Sequence, residues 1–111
     1  MATNGLLSVS NAGQVELKVV AGCDGYYAEE LRDLILEKPE LTHNLESLYD
    51  AALELGFGSE DCLVVISKES TFTKAWFDDC DELNYRKNFN DTNWNPRRKN
   101  GACDCLETIE F

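Results

Sequence analysis

One histidine, five cysteines and several clusters of carboxylates are the side chains of this sequence whose type and spacing invite a chemical reading. His43 is the sole imidazole, so a mechanism that needs a Ser–His, Cys–His or His–metal partnership has a single candidate. It falls in the short connection between two predicted helices and reads as a solvated turn residue. Cys23, Cys62, Cys80, Cys103 and Cys105 contain one close pair, Cys103-x-Cys105, whereas structural zinc sites favour two pairs spaced about two to four residues apart. An odd number of cysteines without an export signal favours reduced, unbridged thiols. Gly56-x-Gly58 follows a helical pattern, not a strand, and lacks the further Gly or Lys of a phosphate loop. Asp78, Asp79, Asp81 and Glu82 lack the alternation, central Gly and distal Glu of a calcium loop and read as a solvated acidic turn. The expectation is a chain that is not an enzyme and holds no cofactor or metal.

The carboxylates that remain are ordered. Glu46, Asp50 and Glu54 recur at i, i+4 and i+8, which stacks them along one face of a helix about 6 Å apart. Glu29, Asp33 and Glu37 repeat the arrangement one helix earlier. Each like-charge pair opposes its helix by roughly 0.2 to 0.5 kcal/mol, and a basic groove built for phosphates reads such a row as charge. These six residues are the candidate partner-binding set.

The composition agrees with a charge-based partner. The chain has 111 residues, 21 Asp and Glu against 10 Lys and Arg, and a formal charge of -11, which repels nucleic acid and anionic membranes and favours a basic protein. The acidity is concentrated between Asp24 and Asp61, where the only basic residues are Arg32 and Lys38. An apolar fraction of 43% with 10% aromatic residues suits one globular domain over residues 1–111. No apolar run approaches the ~18 residues that span a bilayer, and the first residues lack a basic, apolar leader. The expected location is the cytoplasm.

The elements that must position the carboxylates follow from periodicity. Leu6, Leu7 and Val9, a turn at Asn11-Ala12-Gly13, then Val15, Leu17 and Val19 predict an N-terminal β-hairpin. Asp24 is placed to cap a helix from Tyr26 to Lys38 with an apolar stripe of Tyr27, Leu31, Leu34 and Ile35; Pro39 ends it. Thr42 or Asn44 caps a second helix whose stripe is Leu45, Leu48, Ala52 and Leu55, stopped by Gly56 and Gly58. Cys62 to Ile66 predicts a strand covered on both faces, Thr71 to Phe77 a further strand, and Cys105 to Phe111 a terminal strand on a sheet edge. The Asn-rich stretch 84–100 reads as a surface loop anchored by Trp94. The fold class is α+β, with two consecutive helices on one face of a largely antiparallel sheet.

Met1-Ala2-Thr3, Leu7-x-Val9, Gly13-x-Val15 and Asp24-Gly25-Tyr26 together resemble the start of a family of small tailed-phage proteins of unknown function. Those proteins begin with a short hairpin, carry a His-Trp-Asp-Gly-Tyr type motif and continue into two helices; this chain has Gly22-Cys23 where they have His-Trp. The resemblance covers about the first half of the chain, to Gly58. It implies a phage accessory protein, and small acidic proteins of that kind often occupy host restriction or CRISPR nucleases as nucleic-acid mimics. The expected function is therefore inhibition of a basic, nucleic-acid-handling host protein, without direct nucleic acid or membrane binding. The alternatives are a metal-binding or thiol-redox protein using Cys103 and Cys105, and a virion structural or assembly component.

Overall fold

The computed structural model describes residues 3–96 and 104–111. Strands β1 (Gly5–Asn11) and β2 (Gln14–Ala21) form the expected hairpin, closed by Ala12 and Gly13. Both turn residues have positive φ (55° and 79°), the two-residue geometry whose twist matches that of the strands. Strand β3 (Leu63–Ser67) adds antiparallel to β2, β4 (Thr71–Thr73) antiparallel to β3, and β5 (Cys105–Glu110) parallel to β1, giving the order β4-β3-β2-β1-β5. Helices α1 (Ala28–Glu37) and α2 (Leu45–Leu55) cover one face of this largely antiparallel sheet, and the architecture is α+β as the sequence predicts.

Strand alternation divides the apolar residues between two faces. Leu7, Val9, Leu17, Val19, Leu63 and Val65 pack under α1 and α2 against Leu31, Ile35, Leu48 and Phe57. The opposite face carries Leu6, Val20, Val64 and Ile66. It is covered by an element the sequence reading missed: α3 (Asp79–Arg86), whose Tyr85 joins that cluster with Phe77 and Phe89 packed against it. The acidic run expected as a solvated turn is the start of this helix. Asp78 accepts from the Asp81 amide at 2.9 Å, and the Asp78 amide donates to the Asp81 carboxylate at 3.1 Å, closing a capping box. Carboxylates there satisfy orphan amides and meet the positive end of the helix dipole, so the charge that argued against regular structure favours this one.

The stretch that follows α3 is likewise more ordered than a surface loop. Lys18 of β2 faces the same side as Val20 yet is only 2% exposed; its ammonium donates to the Asp91 carbonyl at 2.7 Å and the Asn88 carbonyl at 3.4 Å and lies over the Phe89 ring. A buried ammonium needs such acceptors, so residues 88–91 are folded back over the sheet. The remainder of the expected loop, from Arg97 to Asn100, lies outside the described residues, as does Cys103.

Other expectations are corrected in detail. The helix predicted from Tyr26 opens as a 3-10 turn, Gly25–Tyr27, and the buried stripe of α1 is Ala28, Leu31 and Ile35, with Leu34 half-buried and Tyr27 exposed. Asp24 does not cap it: Asp24 adopts a left-handed conformation (φ 53°), and its carboxylate accepts from the Tyr26 hydroxyl at 3.0 Å. Asn44, not Thr42, caps α2, accepting from the Ser47 amide at 3.0 Å. The strand predicted to reach Phe77 ends at Thr73. Cys23 and Cys62 are joined as a disulfide, against the expectation of unbridged thiols, because the loop leaving β2 returns beside the start of β3 and brings their Cα atoms to 6.2 Å.

Gly25 explains the motif Asp24-Gly25-Tyr26 in steric terms. A Cβ there would lie 2.6 Å from the Asn4 carbonyl carbon and closer still to the Gly5 nitrogen, so the two chain segments touch backbone to backbone. Gly25→Ala should lower stability by about 3 kcal/mol. Gly13→Ala, which has open space but a φ of 79°, should lower it by only about 1 kcal/mol. The urea midpoints of the two variants check the order.

Candidate functional site

The outer surface of α1 and α2 is set by which residues each helix buries. On α2 the sheet takes Leu48, Tyr49 and Ala52, which leaves Glu46, Asp50 and Glu54 exposed on the opposite side. Gly56 closes the helix in a left-handed conformation (φ 101°), with its amide on the Ala52 and Leu53 carbonyls. On α1 the sheet takes Ala28, Leu31 and Ile35, which leaves Glu29, Asp33 and Glu37 exposed. The amide of Gly58, just beyond α2, donates to the Asp24 carbonyl just ahead of α1 at 3.1 Å, so the two helices run antiparallel as neighbours. All six predicted carboxylates thus belong to one layer.

They are not equivalent electrostatically. Arg32 lies 3.0 Å from the Asp33 carboxylate and 3.7 Å from that of Glu29, and its other nitrogen bonds Glu107 of β5. The first half of the α1 row is therefore partly neutralised, and Arg32 fastens α1 to the sheet edge. Among the described residues no cation lies within ion-pair distance of Glu37, Glu46, Asp50 or Glu54. Glu46 stands in the first turn of its helix, where the dipole favours an anion; Glu37 and Glu54 stand in the last turns, where it disfavours one. The Tyr49 phenol under α2 is pushed above its ordinary pKa first by burial, then by Glu60 beyond the helix, and less by Asp50 and Asp61.

The remaining chemical candidates stay dispersed. His43 is exposed beside Glu16, Asn11 and Phe111 around an open depression of about 520 Å³. Cys80 is exposed on α3 and Cys105 is half-buried on β5, where burial first and then Asp104 and Glu107 push its thiol pKa up, away from the thiolate that metal binding or redox exchange requires. Cys103, the other half of the expected thiol pair, lies outside the described residues. Among the described residues no three His, Cys, Asp or Glu side chains are grouped to hold a metal ion, and no helix is long and apolar enough to cross a membrane. Sequence reasoning also passed over Trp76 and Leu83, which are 83% and 73% exposed near the start of α3. A Trp inside a Thr- and aromatic-rich run reads as core, and no sequence signal marks it otherwise.

Compared with protein-family models, curated proteins and solved structures, the chain matches none.

The cysteine arrangement makes a direct prediction. When native protein is alkylated without reductant and mapped by mass spectrometry, Cys80 should label fast and Cys105 slowly, with its rate rising only at higher pH because its thiol pKa is raised. In protein purified under oxidising conditions, Cys23 and Cys62 should remain linked in one peptide pair; free, rapidly labelled Cys23 and Cys62 there would contradict the bridge.

Proposed function

We propose that the chain is a non-enzymatic, phage-encoded acidic protein that uses α1 and α2 to occupy a basic, nucleic-acid-handling surface of a host defence protein of the restriction or CRISPR type. The observation that carries this reading is the placement of Glu37 and Glu54. Both are exposed in the C-terminal turns of their helices, against the dipole, and neither makes an ion pair among the described residues, although Lys38 lies beside them in the groove between the helices. That arrangement destabilises the isolated protein, and a cationic partner would offset it.

The charge spacing is suited to competition with a nucleic acid. Four residues of helix rise about 6 Å, so two neighbouring rows place about one carboxylate per 3 Å of length, with Glu29 and Asp33 partly offset by Arg32. A nucleic acid strand presents one phosphate per about 3.4 Å. A groove tuned to the strand meets a comparable charge density on a surface that cannot be cleaved as a nucleic acid is. The phage assignment rests on the N-terminal likeness at Leu7-x-Val9, Gly13-x-Val15 and Asp24-Gly25-Tyr26, and the cytoplasm of the infected cell is where such a target would be met. In that reducing compartment the Cys23–Cys62 bridge would open to two thiols. The Ser59 hydroxyl lies 3.3 Å and 3.4 Å from the two sulfurs, and the Gly22 amide bonds the Cys62 carbonyl, so the loop has other ties there.

Expressed in a panel of bacterial strains that each carry one restriction or CRISPR system, the chain should raise the plating of a targeted phage on at least one of them. The combined variant Glu46→Gln, Asp50→Asn, Glu54→Gln should lose that effect. Its thermal stability should stay within about 1 kcal/mol, since relief of i, i+4 repulsion and loss of the favourable Glu46–dipole contact oppose each other. Protection that survives in the combined variant would remove α2 from the interface.

A further inference from the structure

Between α1 and α2 the surface is not closed. A groove of about 380 Å³ is lined by Leu34 and Lys38 of the first helix and its end, Leu41 of the connection, and Ala51, Glu54 and Leu55 of the second helix. Leu34, Leu41, Ala51 and Leu55 are each half-buried, so the groove presents apolar surface that the fold does not cover. Ala51, a small side chain, lines it from α2 as Leu34 does from α1. The rim is acidic. Glu30 and Glu37 stand one turn before and after Leu34 on the same side of α1, and Glu54 stands one turn after Ala51 on α2. Glu30, like Glu37 and Glu54, is exposed and has no ion-pair partner among the described residues; Lys38 is the one cation in the lining.

We infer that this groove seats a cationic amphipathic helix of a partner protein, its apolar side chains between Leu34, Ala51 and Leu55 and its Lys or Arg residues against Glu30, Glu37 and Glu54. The inference rests on the acidic-face reading and narrows it from a charged surface to a defined seat. Charge complementarity excludes a nucleic acid or an anionic membrane as occupant, and a second copy of this chain would bring the same carboxylates to the contact. Both main walls are helices whose backbone groups bond internally, so an added strand would find no edge to pair with. A helix satisfies its own backbone and offers side chains at i, i+3, i+4 and i+7, which is the form that an apolar groove with a charged rim recognises.

The test uses synthetic peptides of about four turns as probes, because no partner need be known. One carries Leu at i, i+3, i+4 and i+7 with Lys elsewhere, a second has the same composition in scrambled order, and a third is oligolysine of equal charge. Binding to the full chain is measured by calorimetry at about 0.15 M salt, where long-range attraction between exposed charges is largely screened. The amphipathic peptide should bind about tenfold tighter than the scrambled one. Ala51→Leu, which fills the groove without changing charge and keeps a strong helix former, should erase that advantage and leave oligolysine binding unchanged. Leu34→Gln should act in the same direction, which covers the case of a poorly folded first variant. Equal affinity for the ordered and scrambled peptides would overturn the groove inference alone, provided that Glu46→Gln, Asp50→Asn, Glu54→Gln still weakens oligolysine binding. If none of the peptides binds the unaltered chain, both the groove and the acidic-face reading fall.

Discussion

The structure depends on one backbone contact, Gly25 against Gly5. The Gly25 amide donates to the Thr3 carbonyl at 2.9 Å, and neither glycine has room for a Cβ. The start of β1 is thereby fixed to the turn that launches α1. The Gly58 amide bonds the Asp24 carbonyl, the Phe57 ring packs beside Gly5, and Cys62 bridges to Cys23, so the exit from α2 and the approach to β3 meet at the same place. Both acid-bearing helices are anchored to this junction at one end, which sets their antiparallel relation and leaves a groove between them.

The charge layer sits on that frame of fixed helices. A small domain has few kcal/mol to spare, and carboxylates at two helix C-termini work against it. The molecule offsets this with caps and clamps elsewhere: Asn44 on α2, the Asp78–Asp81 box on α3, Arg32 joining α1 to Glu107, and Lys18 holding residues 88–91. Arg32 also separates the predicted set into two groups, Glu29 and Asp33 partly neutralised, and Glu37, Glu46, Asp50 and Glu54 free of ion pairs among the described residues.

What the sequence made legible was periodic. The hairpin, both long helices and the edge strand Cys105–Glu110 each carry a repeat of two or 3.6 over enough residues to declare themselves, and the doubly covered strand Leu63–Ser67 declares itself by an unbroken apolar run. The failures arose at one local helix cap and where the deciding partner is distant in the chain. Asp78 to Glu82 looked too charged for an element because its role as a helix start depends on capping geometry; the burial of Lys18 has no sequence signal because its acceptors lie some 70 residues away. The Cys23–Cys62 bridge, 39 residues apart, could not be told from other pairings by spacing. The exposed side of each acidic helix was readable from its wheel, but the groove between Leu34 and Ala51 was not, since it depends on how two helices sit over one sheet.

The central claim is that binding takes place on the α1–α2 layer, and shift mapping tests it most directly. In ¹H–¹⁵N spectra of the labelled full chain titrated with the amphipathic Leu–Lys peptide, the amides of α1, α2 and their connection, residues 28–55, should move, while those of α3 and β5 stay in place. Shifts centred on α3 around Asp79–Arg86, or spread evenly over every acidic segment, would contradict the account.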